Sequence, residues 1–187
     1  MRPTDIRIAS VERRYEDFRY RTPIKFGGTA LDRVTLLNVE CVVRTGAGKT
    51  ARGFGSMPLG NVWSFPSRVL GYDATLAAMK ALAERIGRLV AGCTEAGHPI
   101  DLAVLLEPEY HKAAADVTRE LRLAEPIPPL CTLVAASAFD AAVHDAYGKV
   151  HGLNCYHTYG PDFLGHDLGH YLGSEFAGET LQQYIVR

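Results

Sequence analysis

The sequence predicts an α+β fold, a three-stranded antiparallel meander followed by a helical segment. Three observations carry this. Apolar residues alternate with polar ones through the first third of the chain, they recur at helical spacing between residues 74 and 90, and an alanine-rich run fills residues 130–148.

Ile6, Ile8 and Val11 open the first strand, and the charged alternating stretch Glu12 to Arg21 (ERRYEDFRYR) carries it on or bends it. A glycine-containing loop, Arg21 to Thr29 (RTPIKFGGT), is expected next. Val34 to Arg44 (VTLLNVECVVR) then sets Leu37, Val39, Cys41 and Val43 on one face and Asn38, Glu40 and Arg44 on the other, the period of a half-buried strand. The following turn contains GAGKT, which looks like the tail of a phosphate-binding loop. Such a loop needs a further glycine, four residues ahead of the Gly-Lys pair, and a helix directly after it. Val43 holds the glycine position, and Thr50 to Gly55 (TARGFG) is too rich in glycine to open a helix. A strand, a Gly-Ala-Gly turn and a second strand make a β-hairpin.

The middle of the chain reads as helical. Asp73 is the expected N-cap of ATLAAMKALAERIGRLV, in which Leu76, Met79, Leu82, Ala83, Ile86, Leu89 and Val90 form one apolar stripe destined for the core. Gly92, Gly97 and Pro99 punctuate its end. Asp101 is expected to cap a short segment ending at Pro108, with a separate helix over Glu109 to Leu123 and a stiff hinge at Pro126, Pro128 and Pro129. Leu130 to Gly148 (LCTLVAASAFDAAVHDAYG) reads as a buried helix whose small residues permit close approach. Its carboxylates Asp140 and Asp145 are five apart and so point to different faces. Asp145 is expected to bond backbone or a basic side chain, and Lys149 to compensate the helix C-terminus.

Tyr156 to Gly173 (YHTYGPDFLGHDLGHYLG) reads as a long loop or an incomplete piece. His166 and His170 stand four apart, as two zinc ligands on a helix would. No glutamate follows His166 to complete H-E-x-x-H, and Gly165, Gly169 and Gly173 oppose a helix. They read as surface histidines, and no metal ligand is assigned.

Composition excludes several function classes. Lys and Arg sum to 20 against 21 Asp and Glu, with no basic stripe to meet a phosphate backbone, so nucleic acid is not an expected partner. The N-terminus MRPTDIRIASVERR lacks the apolar core of a signal peptide, and no run of eighteen apolar residues predicts a membrane span. The expectation is a cytoplasmic protein. Cys41, Cys93, Cys131 and Cys155 form no C-x-x-C pair and read as free, small apolar side chains.

Ala135 to Tyr156, AASAFDAAVHDAYGKVHGLNCY, resembles the start of the barrel domain in the mandelate racemase and muconate lactonizing branch of the enolase superfamily. There an alanine-rich helix carrying D-x-A-x-x-D ends in Gly-Lys, followed by a glycine, a short apolar stretch and a tyrosine. Asp140, Ala142, Asp145, Gly148, Lys149, Gly152 and Tyr156 fall on that pattern. The meander and helices ahead of it are the order of that family's capping domain. His144 stands where the family usually has tryptophan, Asn154 where it has proline, and His157 to Gly160 replace Leu-Leu-Gly-Gly, which implies a divergent branch.

The resemblance implies a capping domain over residues 1–129 and the first helix of a (β/α)8 barrel over 130–187. It also implies chemistry: a base removes the proton α to a carboxylate while bound Mg2+ stabilises the enediolate, in a racemase, epimerase, cycloisomerase or acid-sugar dehydratase. Such a barrel takes roughly 200 residues or more, and the stretch from Leu130 on is far shorter. The lysines are Lys25, Lys49, Lys80, Lys112 and Lys149, so the family's K-x-K is missing. The final QQYIVR reads as the approach to a first barrel strand. The expectation is therefore a truncated, inactive chain that carries no catalytic residue and binds no Mg2+ itself. In the complete enzyme it would cap the site over a small carboxylate substrate and, as is frequent in the family, assemble as a homo-oligomer. By position, Arg21 to Thr29 and Gly53 to Pro66 (GFGSMPLGNVWSFP) would be the substrate-specificity loops, with Lys25, Phe26, Met57 and Trp63 as the candidate pocket residues. Lys25 would pair with an anionic group and Trp63 would wall the pocket, unless Trp63 packs locally and Lys25 is solvated. The other reading is a stand-alone binding or assembly module derived from such an enzyme. If the chain is truncated, the apolar face of the 130–148 helix should be uncovered.

Overall fold

A computed structural model of the chain describes residues 2–26 and 28–185. Strand β1 (Ile6–Phe26) pairs antiparallel with β2 (Thr29–Thr45), and β2 with β3 (Thr50–Pro58), giving the order β1-β2-β3. This is the meander expected from the alternation. The GAGKT stretch closes the second hairpin: Thr45 N–H donates to the Lys49 carbonyl at 2.9 Å, Gly48 takes φ +84°, and strand rather than helix follows. The phosphate-loop likeness ends there.

The expected loop at Arg21 to Thr29 is mostly strand. Ladder pairing lapses between Arg19 and Ile24, around Pro23, which has no N–H to give. It resumes with Ile24 opposite Leu31 and Phe26 opposite Thr29. β-Formers on both sides of the tip extend the hairpin. Gly27 lies outside the described residues. Because β3 reaches only to the level of Leu36, the distal half of β1–β2 is a two-stranded ribbon.

Helix α1 (Asn61–Ser64) is a single turn, and α2 (Tyr72–Ala91) follows. The N-cap of α2 is Gly71, not Asp73. Asp73 sits inside the first turn, where it complements the helix dipole and bonds Arg33 at 2.8 Å. Met79, Leu82, Ala83, Ile86 and Val90 of the stripe are buried, with Leu76 and Leu89 at its margin.

Helix α3 (Pro99–Glu120) runs unbroken through Pro108, where two segments were expected. Pro108 lies on the solvent face, while Leu102, Leu106, Tyr110 and Ala113 hold the other face in the core. The packing of that face overrides the cost of one interior proline. The cap also differs. His98 is the N-cap, its Nδ1 accepting from Ile100 N–H at 3.2 Å, and Asp101 closes the capping box from the third helical position.

Helix α4 (Pro129–His151) packs across β3 and β2 and against α2 and α3. Its alanines meet the glycines of TARGFG. A Cβ on Gly53 would lie 2.1 Å from the Ala142 carbonyl oxygen, and one on Gly55 2.1 Å from that of Ala138. Glycine in this strand serves close helix-on-sheet approach. Asp145 accepts from Phe54 N–H at 2.8 Å and from Lys149 at 2.6 Å, tying α4 to β3 as its expected role requires. Gly152, at φ +68°, ends the helix in the left-handed conformation.

The expected uncovered apolar face is not found. Cys131, Val134, Ala135, Phe139, Ala142, Ala146 and Tyr147 are buried within the chain, and the exposed large apolar side chains of α4 are Leu130 and Leu133, in its first turns. Burial pushes the thiols of Cys41 and Cys131 up to about 12, in keeping with inert apolar cysteines. Beyond α4 the loop holds short turns at Cys155–Thr158, Ser174–Phe176 and Leu181–Gln183, and one small helix, α5 (Leu168–Leu172). At QQYIVR, Val186 and Arg187 lie outside the described residues, and the part before them is turn rather than strand.

Candidate functional site

The ribbon tip, α1 and the segment leading into α2 enclose a cleft of about 740 Å3. Its floor is built from polar side chains that lock the connecting segment down. Asn61, buried, donates to the Tyr72 carbonyl and to Thr75 Oγ1, both at 2.8 Å, while Ser64 Oγ donates to the Gly60 carbonyl at 2.9 Å. Leu59 N–H reaches the Thr35 carbonyl at 2.8 Å, fixing this segment to β2.

Two of the four candidate pocket residues meet here. Phe26, from the end of β1, and Trp63, from α1, both line the cleft, with 47% and 39% of their surface exposed. Large aromatic groups left this open at a concave surface are available to cover a bound molecule. Trp63 also packs locally: its indole lies over Gly60, where an added Cβ would come within 2.0 Å of Nε1. Wall and local packing are thus one arrangement, and glycine at position 60 permits it.

The other two are elsewhere. Met57 lies opposite Leu37 in the ladder and packs against the core, because β3 continues through what was expected to be loop. Lys25 is exposed at the ribbon tip opposite Ala30 and does not line the cleft. The cation in the cleft is Arg68, which sequence reasoning did not single out. Ser67 Oγ, accepting from Val69 N–H at 3.1 Å and Leu70 N–H at 2.7 Å, makes the turn that carries it. A serine followed by a cation between Pro66 and Gly71 was the available signal.

Tyr72 lines the same cleft, and the Arg33 guanidinium lies 4.8 Å from its ring centroid. Burial holds the Tyr72 phenol above its usual value, although Arg33 pulls the other way. Aromatic walls with one guanidinium suit a small organic anion: the rings take an apolar body, and the planar fork takes a carboxylate.

A second grouping lies away from this cleft. One ligand atom each from Asp101, His166 and His170 lie within 4.8 Å of one another, and this is the one grouping of three metal-capable side chains found among the described residues.

No protein-family model matches the chain, and no curated protein matches it. Solved structures similar to it include a dipeptide epimerase from Enterococcus faecalis V583, complexed with Mg and the dipeptide L-Leu-L-Tyr. The two are 18% identical over 86% of this chain and 35% of the other, with a TM-score of 0.45. An L-talarate/galactarate dehydratase from Salmonella typhimurium LT2 is 21% identical over 84% of this chain and 34% of its own, at 0.49. An L-Ala-D/L-Glu epimerase from Bacillus subtilis is 14% identical over 82% and 34%, at 0.45. The chain spans about a third of the length of these proteins.

Proposed function

We propose that this chain is the capping part of a Mg2+-dependent enzyme of the mandelate racemase and muconate lactonizing branch of the enolase superfamily, acting on a small carboxylate substrate in the cytoplasm. In this reading residues 1–129 form the capping domain and 130–187 open the barrel domain. One observation carries it: Asp140, Ala142, Asp145, Gly148 and Lys149 of the residue pattern lie on a helix docked against a three-stranded meander, with Gly152 as its C-cap and Tyr156 in the turn that follows. Asp145 and Lys149 of that pattern make the contact with β3 described above.

The chemistry would be removal of the proton α to the substrate carboxylate. Mg2+, when bound in the complete enzyme, would supply charge stabilisation of the enediolate. The one grouping of three metal-capable side chains among the described residues does not suit that ion. Mg2+ takes oxygen ligands in near-octahedral array, whereas the grouping of Asp101, His166 and His170 is mostly imidazole. Ligands and base would therefore belong to barrel residues outside this chain. The part assigned to this chain is recognition: Phe26 and Trp63 exclude water from the apolar body of the substrate, and Arg68 orients its anionic end. Homo-oligomer formation belongs to the same proposal, and nucleic acid and membranes are not partners in it. No helix among the described residues is long and apolar enough to cross a membrane.

The test uses the enzyme that carries this chain together with its barrel. Trp63→Ala and Arg68→Ala are each expected to lower kcat/KM about tenfold or more, equal to about 1.4 kcal/mol of lost transition-state stabilisation. Values within about twofold of wild type would reject the assignment. Lys25→Ala, outside the cleft, serves as the comparison.

One observation favours the other reading, a stand-alone binding module: the apolar face of α4 is covered within the chain. A module predicts a folded, monodisperse, dye-silent protein whose native mass in its host is 20.4 kDa. A larger native mass excludes it.

A further inference from the structure

Asp101 and His166/His170 are far apart in sequence and meet because α5 folds back on the first turn of α3. Asp167 makes that possible. As the N-cap of α5 it accepts from His170 N–H at 3.2 Å and from Gly178 N–H at 2.7 Å, closing the loop on both sides. His166, just before this cap, and His170, one turn on, then stack with ring centroids 4.0 Å apart. Tyr171 directs its hydroxyl to Asp101 Oδ1 at 2.5 Å.

We propose that Asp101, His166 and His170 form a binding site for a divalent transition metal of the zinc class. Two imidazoles and one carboxylate are the borderline donors such ions prefer, and they discriminate against Mg2+. The Tyr171 hydroxyl supplies the outer hydrogen bond that orients a ligating carboxylate. Both histidines are exposed, so water can fill the remaining coordination positions. Zinc bonds of about 2.0 to 2.2 Å require donor atoms no more than about 4.4 Å apart. Atoms now within 4.8 Å close that gap when the two stacked, solvent-facing rings turn so that their nitrogens converge on one ion. The neighbouring cation, Arg2, is occupied: its guanidinium donates to the carbonyls of Pro161 at 2.9 Å and Leu164 at 2.6 Å. This site is independent of the cleft at Trp63 and of any Mg2+ chemistry.

The experiment is a Co2+ titration of the untagged full chain, read by visible absorption and by competition with Zn2+. Wild type is expected to bind one Co2+, with a nitrogen- and oxygen-ligand spectrum that Zn2+ abolishes. His166→Ala and His170→Ala, both on exposed side chains and each checked for an intact fold by circular dichroism, should each weaken binding about tenfold or more. Tyr171→Phe should weaken it severalfold. The proposal is overturned if wild type takes up no Co2+, if both histidine variants bind as tightly as wild type, or if the spectrum carries the thiolate charge-transfer band that Cys93 or Cys155 would give.

Discussion

Acidification from pH 6.5 to 4 should destabilise this protein through one buried side chain, His98. It is fully buried at the N-terminus of α3. Its Nδ1 accepts from Ile100 N–H, so the ring is neutral with its proton on Nε2, which faces Thr158 Oγ1 at 3.3 Å. A proton on Nδ1 would break the cap and set two donors against each other. Burial, reinforced by His144 with its ring centroid 6.3 Å away, lowers the His98 pKa to about 4, although the Asp101 carboxylate pulls the other way. In the unfolded chain the same histidine titrates near 6.5. Below 6.5 the unfolded chain takes up a proton that the folded chain refuses, so stability falls until the pH reaches about 4. At about 1.4 kcal/mol per pKa unit the loss is about 3 kcal/mol. His98→Asn keeps a capping acceptor and removes the titration. Urea unfolding of both proteins across this range gives the difference directly, cancelling the carboxylates they share. His144 acts in the opposite sense. Burial depresses its pKa, the Asp140 carboxylate and carbonyl outweigh that, and its contribution is lost as pH rises. If the two proteins lose stability in parallel, within about 0.5 kcal/mol across the range, the cap does not hold a neutral histidine.

Two further outcomes follow from backbone geometry. Gly53→Ala and Gly55→Ala each drive a methyl into the main chain of α4, and each should cost about 1 to 3 kcal/mol or more, read as a lower urea midpoint. A midpoint unchanged in both would mean that α4 does not lie against β3 this closely. Pro108→Ala restores the hydrogen bond from position 108 to the Val104 carbonyl on the solvent face of α3, and should stabilise by about 1 to 3 kcal/mol, seen as a higher Tm. A lower Tm would mean that the ring contributes packing.

What the sequence revealed was what repeats along it. Alternation at Leu37, Val39, Cys41 and Val43 and the stripe from Met79 to Val90 are local consequences of one buried face, so strands and helices were legible. Features decided across the fold were not. Asp73 and Asp101 have the best capping side chains, yet Gly71 and His98 take the caps because the chain enters each helix there. Pro108 has the local character of a breaker, since it lacks the N–H of the helical ladder, but it lies on the solvent face of a helix held by its opposite face. The ladder through Met57 and past Ile24 drew two expected loops into the sheet, and only Phe26 and Trp63 reached the cleft. Arg68 went unnoticed, as one cation among many, and the third donor beside His166 and His170 comes from another helix.

The ribbon beyond β3 bears on solubility. β1 is the outer strand of the sheet, so it offers a long row of unpaired backbone groups to any second strand, next to exposed Phe18, Tyr20, Ile24 and Phe26. What guards it is charge: Arg7, Glu12, Arg13, Arg14, Glu16, Asp17, Arg19 and Arg21 crowd the same strand, and Pro23 interrupts its donors. Strand-to-strand association of two copies would bring this mixed charge together at close range. The dense ionisation of ERRYEDFRYR thus works as a gatekeeper, and removing it would turn an exposed strand into a nucleus for aggregation.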